Sequence, residues 1–251
     1  MSTHATGLPT DAELRLARLR AAAQAGAAEL GHDADAATVI DWAARTVPTA
    51  LAAVACSMAD AVLPHLVAAR MPGVDVLFLE TGYHFAETLA TRAEVARTLD
   101  VRIVDVLPER TVAEQDAALG EKLYERDPAA CCQLRKMDPL KKALAGYDLW
   151  FTGVRRDEAP TRTNTPLVTF DEQHGLIKVN PVATWSFDDL LGYAGRHAVP
   201  LNLLLQHGYP SIGCAPCTRP VAPGEDPRAG RWAGLAKTEC GIHTPAERSQ
   251  R

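Results

Sequence analysis

Two cysteines with nothing between them, Cys131 and Cys132, constrain this chain more than any other feature. Bridging such neighbours closes a tight ring that strains the peptide and the disulfide torsion, so the pair is a poor disulfide. It is a workable metal corner, because two thiolates leave one short piece of backbone. A second corner comes much later, in Cys214-Ala215-Pro216-Cys217. A fold that uses both must bring two distant segments together. Four thiolates suit an iron–sulfur cluster or an all-cysteine zinc site, and the directly adjacent pair favours iron–sulfur. One thiol stands apart, in Lys237-Thr238-Glu239-Cys240-Gly241-Ile242-His243. The pattern is a cluster plus a separate nucleophile.

The compartment decides whether cysteines read as ligands or as crosslinks. Met1 to Pro9 has neither a basic start nor an apolar core, so no secretory signal is expected, and no apolar run reaches the ~18 residues of a membrane span. The expectation is a cytoplasmic protein whose six cysteines are metal-binding or catalytic. The formal net charge of −5 argues against a general nucleic-acid surface. An anionic ligand must then be met by a local basic pocket. With 251 residues, 47% of them hydrophobic and 23% charged, the chain can build one α/β domain with a large core.

Hydrophobic periodicity predicts helices over 11–30, capped by Asp11, and over 35–46. Short apolar runs then alternate with helical stretches. Strands are predicted over 50–55, 74–79, 101–107 and 149–154, with helices over 61–70, 86–98, 111–125 and 186–196. A hairpin is expected between Leu167–Phe170 and Leu176–Val182. This alternation implies a doubly wound, mainly parallel sheet with helices on both faces. After Leu205, repeated prolines and glycines break the pattern. Residues 1–205 therefore read as the α/β body. Residues 206–251 read as a loop-rich C-terminal segment, in one structural domain overall. That segment still holds three of the six cysteines.

In an open parallel sheet, ligands bind beyond the carboxyl ends of the strands. Three loops qualify: Cys56–Asp60, Glu80–Phe85 and Arg155–Arg162. The first resembles a pyrophosphate loop that has lost its glycines, so cleavage of ATP is not expected there. The third clusters Arg155, Arg156 and Arg162, whose guanidiniums match phosphate and sulfate oxygens. Arg228 and Arg231 add a second basic spot. Lys136 follows Cys132 by four residues, one helical turn away. Lys237 and His243 are cationic candidates for activating Cys240. Cys56, at the end of an apolar strand, reads as a small core residue.

With these pieces in order, the chain resembles the assimilatory adenylyl-sulfate (APS) reductases of the sulfonucleotide reductase family. The resemblance rests on Cys131-Cys132-x-x-Arg135-Lys136, Thr81-Gly82-Tyr83-His84-Phe85, the Gly153–Arg162 segment, Gly208-Tyr209-Pro210-Ser211-Ile212-Gly213-Cys214-x-x-Cys217, Arg228-x-x-Arg231-Trp232 and Glu239-Cys240-Gly241-Ile242-His243. It implies a sheet of the adenine-nucleotide α-hydrolase-like (PP-loop-like) type and a [4Fe–4S] cluster on Cys131, Cys132, Cys214 and Cys217. It implies Cys240 as nucleophile on the sulfate sulfur of APS, with thioredoxin or a glutaredoxin-like reductant releasing sulfite from the S-sulfocysteine. Lys136, Arg162, Arg228 and Arg231 would bind the phosphosulfate. Thr81 and Gly82 would lie by the nucleoside, with Ser57 and His243 as further contacts. The chain departs from the family pattern at Glu80, where aspartate is usual, and at Cys56, where serine is usual.

Three other readings stand beside it. A tRNA-thiolating enzyme requires a glycine-rich ATP loop and a basic RNA face. A zinc module for protein contacts leaves Cys240 and the arginines without a role. A reductase acting on the 3′-phosphorylated nucleotide shares most of the motifs but not the cluster cysteines. A homo-oligomer is left open.

Overall fold

The computed structural model describes residues 9–234, 237 and 239–242. The backbone is a six-stranded sheet of order β3-β2-β1-β4-β6-β5. The strands are β1 (Ala52–Ala55), β2 (Val74–Leu79), β3 (Val101–Val106), β4 (Leu149–Thr152), β5 (Val168–Asp171) and β6 (Leu176–Val179). All neighbours run parallel except β5, which returns antiparallel to β6 as the expected hairpin. Chain order reverses between β1 and β4, the switch point at which such sheets open a crevice.

Side-chain alternation along the central strands sorts two cores. Val54, Val76, Phe78 and Phe151 face one side, where they meet α1 (Asp11–Leu30), α2 (Ala36–Thr46), α3 (Val62–Ala68) and α9 (Phe187–His197) through Leu19, Ile40, Val67 and Leu190. Ala53, Leu77 and Trp150 face the other, where Leu140 and Leu144 of α8 (Asp138–Leu144) cover them. Strand β1 is Ala-Ala-Val-Ala because both faces are filled. Truncating Phe151, wholly buried, would cost about 3–5 kcal/mol. Helix α1 also shields the β5 edge, with Arg15 and Arg18 on the buried carboxylate of Asp148 and Arg20 on Glu172. Among the described residues no helix is long and apolar enough to cross a membrane.

Several expected boundaries shift for local reasons. Thr10, not Asp11, caps α1, in a capping box with Glu13. The 111–125 helix is two pieces, α5 (Val112–Leu119) and α6 (Leu123–Arg126), broken where Gly120 and Lys122 take positive φ. The first strand starts later than expected, since Thr49–Leu51 is a 3₁₀ turn.

Candidate functional site

At the carboxyl ends of β1, β2 and β4 lies a cavity of about 250 Å³, walled by all three loops expected there. Residues 205–213 and the C-terminal segment close it, through Arg228, Arg231, Glu239, Cys240 and Ile242. Of the expected residues, it brings together Ser57, Thr81, Lys136, Arg162, Arg228, Arg231 and Cys240. Gly82 does not line it: a Cβ there would meet Val112 and Arg135 instead. His243 lies outside the described residues.

The degenerate first loop is shaped without glycine. Met58 takes φ +59, and the buried Asn202 amide donates to the Met58 carbonyl at 3.1 Å. Cys56 sits there too, half-buried: burial, and then the nearby Asp60, push its pKa up to about 12. Asp60 itself is raised by burial.

A second, smaller cavity lies beside the first. Cys131, Cys132, Cys214 and Cys217 all line it, with Tyr83, Arg135, Lys136 and Trp232. The two expected corners therefore meet. Among the described residues no three His, Cys, Asp or Glu side chains gather around the point of a single metal ion. Burial foremost, and then the neighbouring thiols, push Cys131 up to about 12 and Cys217 up to about 11. Loading a metal group must therefore expel protons.

The helix carrying the pair explains how its neighbours are aimed. Asp127 caps α7 (Pro128–Cys132), and residues Gln133–Met137 then widen into a π-turn, closed by Asp138 N–H donating to the Gln133 carbonyl. The expected single α-turn from Cys132 to Lys136 is thus replaced by a wider one, a form common at functional sites. It turns Arg135 into the fold, where it donates to the carbonyls of Thr81 and Arg110 and to Gln115 Oε1. Lys136 is left facing both cavities. Burial works against its ammonium, but Cys214, Cys240 and Cys132 together outweigh that, and its pKa is raised. Thr81 Oγ1 accepts from the Cys214 thiol at 3.4 Å, tying the second loop to the sulfur side.

Arg231 and Trp232 divide the same way: Arg231 lines the larger cavity and Trp232 the smaller. Arg231 donates to Ser211 Oγ at 3.2 Å, but its buried Nε has no partner among the described residues. Burial, and then Arg228, lower its pKa. The close fit needs glycine, since a Cβ on Gly213 would stand 2.3 Å from Arg231 Nη2, and one on Gly230 would stand 2.1 Å from the Arg219 carbonyl.

Of the three clustered arginines, Arg156 turns away to the His32 and Thr165 carbonyls and Asp33. Arg155 is buried against Asp157 and Glu158. Arg162 faces the cavity, paired with Glu158 and Glu239. Lys237 lies 5.6 Å from the Trp232 ring centre. Sequence reasoning missed Arg135, Trp232 and Glu239 as site residues, although all three sit inside the quoted motifs.

Fold and cavity define a class: PP-loop-like α/β proteins that open a ligand site at the switch point of a parallel sheet. Residues 50–220 match the model of the phosphoadenosine phosphosulfate reductase domain, and the chain belongs to that family. It is 54% identical over 225 residues to the adenosine 5′-phosphosulfate reductase of Mycolicibacterium smegmatis, covering 90% of this chain and 94% of that one. It is 53% identical, with the same coverage, to that of Streptomyces coelicolor. Among solved structures it is similar to a phosphoadenylyl-sulfate reductase from Candida auris in its phosphate complex, with TM-score 0.63 and 27% identity over 74% of this chain and 90% of that one. A Candida glabrata FMN adenylyltransferase shares the fold alone, with TM-score 0.54 and 10% identity over 82% of this chain and 75% of that one. The protein is an enzyme, an oxidoreductase acting on a sulfur group.

Proposed function

We propose that the protein reduces adenosine 5′-phosphosulfate to sulfite and AMP, with a thioredoxin-type dithiol as reductant, in sulfate assimilation leading to cysteine. The observation that carries this is Cys240 in one cavity with Lys136 and Arg231, two cations that no carboxylate pairs with among the described residues. Lys136 and Arg231 hold the phosphosulfate, and Arg162 and Arg228, bound to Glu239, stand beside them. The Nε of Arg231, with no partner among the described residues, is a donor for an oxyanion. Ser57 and Thr81 contact the nucleoside side.

The thiolate of Cys240 attacks the sulfate sulfur, and the bond from that sulfur to the bridging oxygen breaks. AMP departs with the electron pair. The cations neutralise charge as it shifts to the leaving oxygen, which is orientation plus electrostatic stabilisation. One thiolate of the reductant then attacks Cys240 Sγ and expels sulfite. Its second thiol resolves the mixed disulfide, leaving an oxidised reductant and free Cys240. The two electrons come from the dithiol.

The four cysteines are a soft donor set in one cavity and fit a [4Fe–4S] cluster. When bound, such a cluster supplies a charged, polarisable wall next to Lys136. The 206–251 segment completes this site and carries the nucleophile.

The test is a single turnover. Mixing the metal-loaded protein with APS and no reductant is expected to stop after one equivalent of AMP. One sulfonate should then sit on the Cys240 peptide, and reduced thioredoxin should release it as sulfite. An adduct on Cys56, or sulfite made by Cys240→Ser with thioredoxin, removes the mechanism. In competition the 3′-phosphorylated nucleotide is expected to lose to APS.

A further inference from the structure

The cations of the larger cavity fall into two kinds. Lys136 and Arg231 face thiols, a hydroxyl and a carbonyl. Arg162 and Arg228 instead grip the chain's own Glu239. Its carboxylate accepts from Arg162 Nε at 3.1 Å, Arg162 Nη2 at 2.9 Å and Arg228 Nη2 at 3.0 Å. All three side chains are largely buried, at 12%, 16% and 16% exposure. Glu239 is the residue before Cys240. On the other side of the thiol, Gly241 turns the backbone at φ +95, and Ile242 packs on the core of Leu77, Leu140 and Trp150. Cys240 is thus held between an ionic grip and an apolar anchor.

We propose that Glu239 is a positioning residue, docking Cys240 over the cavity by clasping Arg162 and Arg228, while Lys136 and Arg231 remain for the substrate anion. This rests on the proposed function above. Charge supports it. Among the described residues the cavity is lined by five Lys and Arg side chains (Lys136, Arg155, Arg162, Arg228, Arg231) and three carboxylates (Asp60, Glu158, Glu239). Counted at full charge, five cations less three carboxylates and the Cys240 thiolate leave a surplus of one, so with Glu239 docked the cavity still favours an anion such as a phosphosulfate. A buried, multiply bonded carboxylate grip is the kind of contact that fixes a reacting atom's approach.

The test uses metal-loaded protein and the variants Glu239→Gln and Glu239→Asp. In single turnover with APS, Glu239→Gln is expected to form the Cys240 adduct at least about tenfold more slowly. Its affinity for AMP should stay within about threefold of wild type or tighten, because no contact to the anion was removed. Alkylation of Cys240 by iodoacetamide, without substrate, should accelerate several-fold in Glu239→Gln, and Glu239→Asp should recover part of the loss in adduct rate. Unchanged adduct formation and unchanged alkylation in Glu239→Gln would overturn the inference. So would a loss of AMP affinity in step with the adduct rate. Wild-type protein that forms no adduct at all would overturn the proposed function instead, and the alkylation rates would still report on the docking.

Discussion

The cysteine-lined and arginine-lined cavities share Lys136 and Cys214 as a common wall, yet they are made of different material. The first gathers four thiols, of which burial pushes Cys131, Cys132 and Cys217 toward their neutral form, with aromatic and guanidinium neighbours. The second is roomy and lined by opposed charges. One suits a permanent occupant that displaces protons once. The other suits a ligand that comes and goes with each turnover. A lysine on a π-turn and the Cys214 thiol join them, so a change on one side is expected to register on the other through that shared wall.

The largest effect should come from Cys132→Ser. A hard hydroxyl replaces a soft thiolate, and iron, sulfide and nearly all turnover are expected to be lost together. Metal analysis and the visible spectrum of anaerobically purified protein check this, and full metal with full turnover would break the division. Next comes Arg231→Ala, expected to lower kcat/KM by about 10²–10³ with metal content intact. Arg231→Lys should not restore it, since the planar fork and its Nε are what the site uses. Lys136→Ala is the crossing case: KM for APS should rise by about tenfold, and the visible spectrum should shift as well. A spectrum identical to wild type would show that the common wall carries no coupling.

The smallest effect concerns two thiols of the larger cavity. At pH 8, iodoacetamide should modify Cys240 and leave Cys56 untouched, as mapped by peptide mass. Cys56 also predicts a pH dependence. Its pKa is raised in the folded chain from 9.0 to about 12, so the stability tied to its neutral form is present below pH 9 and lost as pH climbs toward 12. Cys56→Ala should flatten the fall in Tm between pH 9 and 11 by about 2–4 °C, the size expected for a ~1 kcal/mol change in a chain of this length. Parallel curves would mean that this pH dependence does not come from Cys56.

Much of the body was legible because it follows from periodicity. Apolar runs gave β2 and β3 nearly to the residue and the hairpin in place, though its second strand ends at Val179 and not Val182, and the loops at the sheet's carboxyl end followed from topology. The joining of the two cysteine corners was legible from ligand chemistry. The π-turn was not: Gln133, Leu134, Arg135 and Lys136 are all ordinary helix formers, and nothing in their propensities marks a wider turn. Nor was the Glu239 grip, because pairing with Arg162 depends on how a segment without periodicity returns to the sheet. Arg156 misled for the opposite reason, since clustering in sequence says nothing of which arginine faces the cavity and which binds Asp33.

The meeting of two distant corners also has a consequence in time. A ribosome adding roughly 5–20 residues each second completes Cys131 and Cys132 several seconds before it reaches Cys214 and Cys217. During that interval half of the sulfur cavity exists without its counterpart. The adjacency of the first pair resists internal oxidation through ring strain. The nascent chain can therefore wait, reduced, for the second corner to be made.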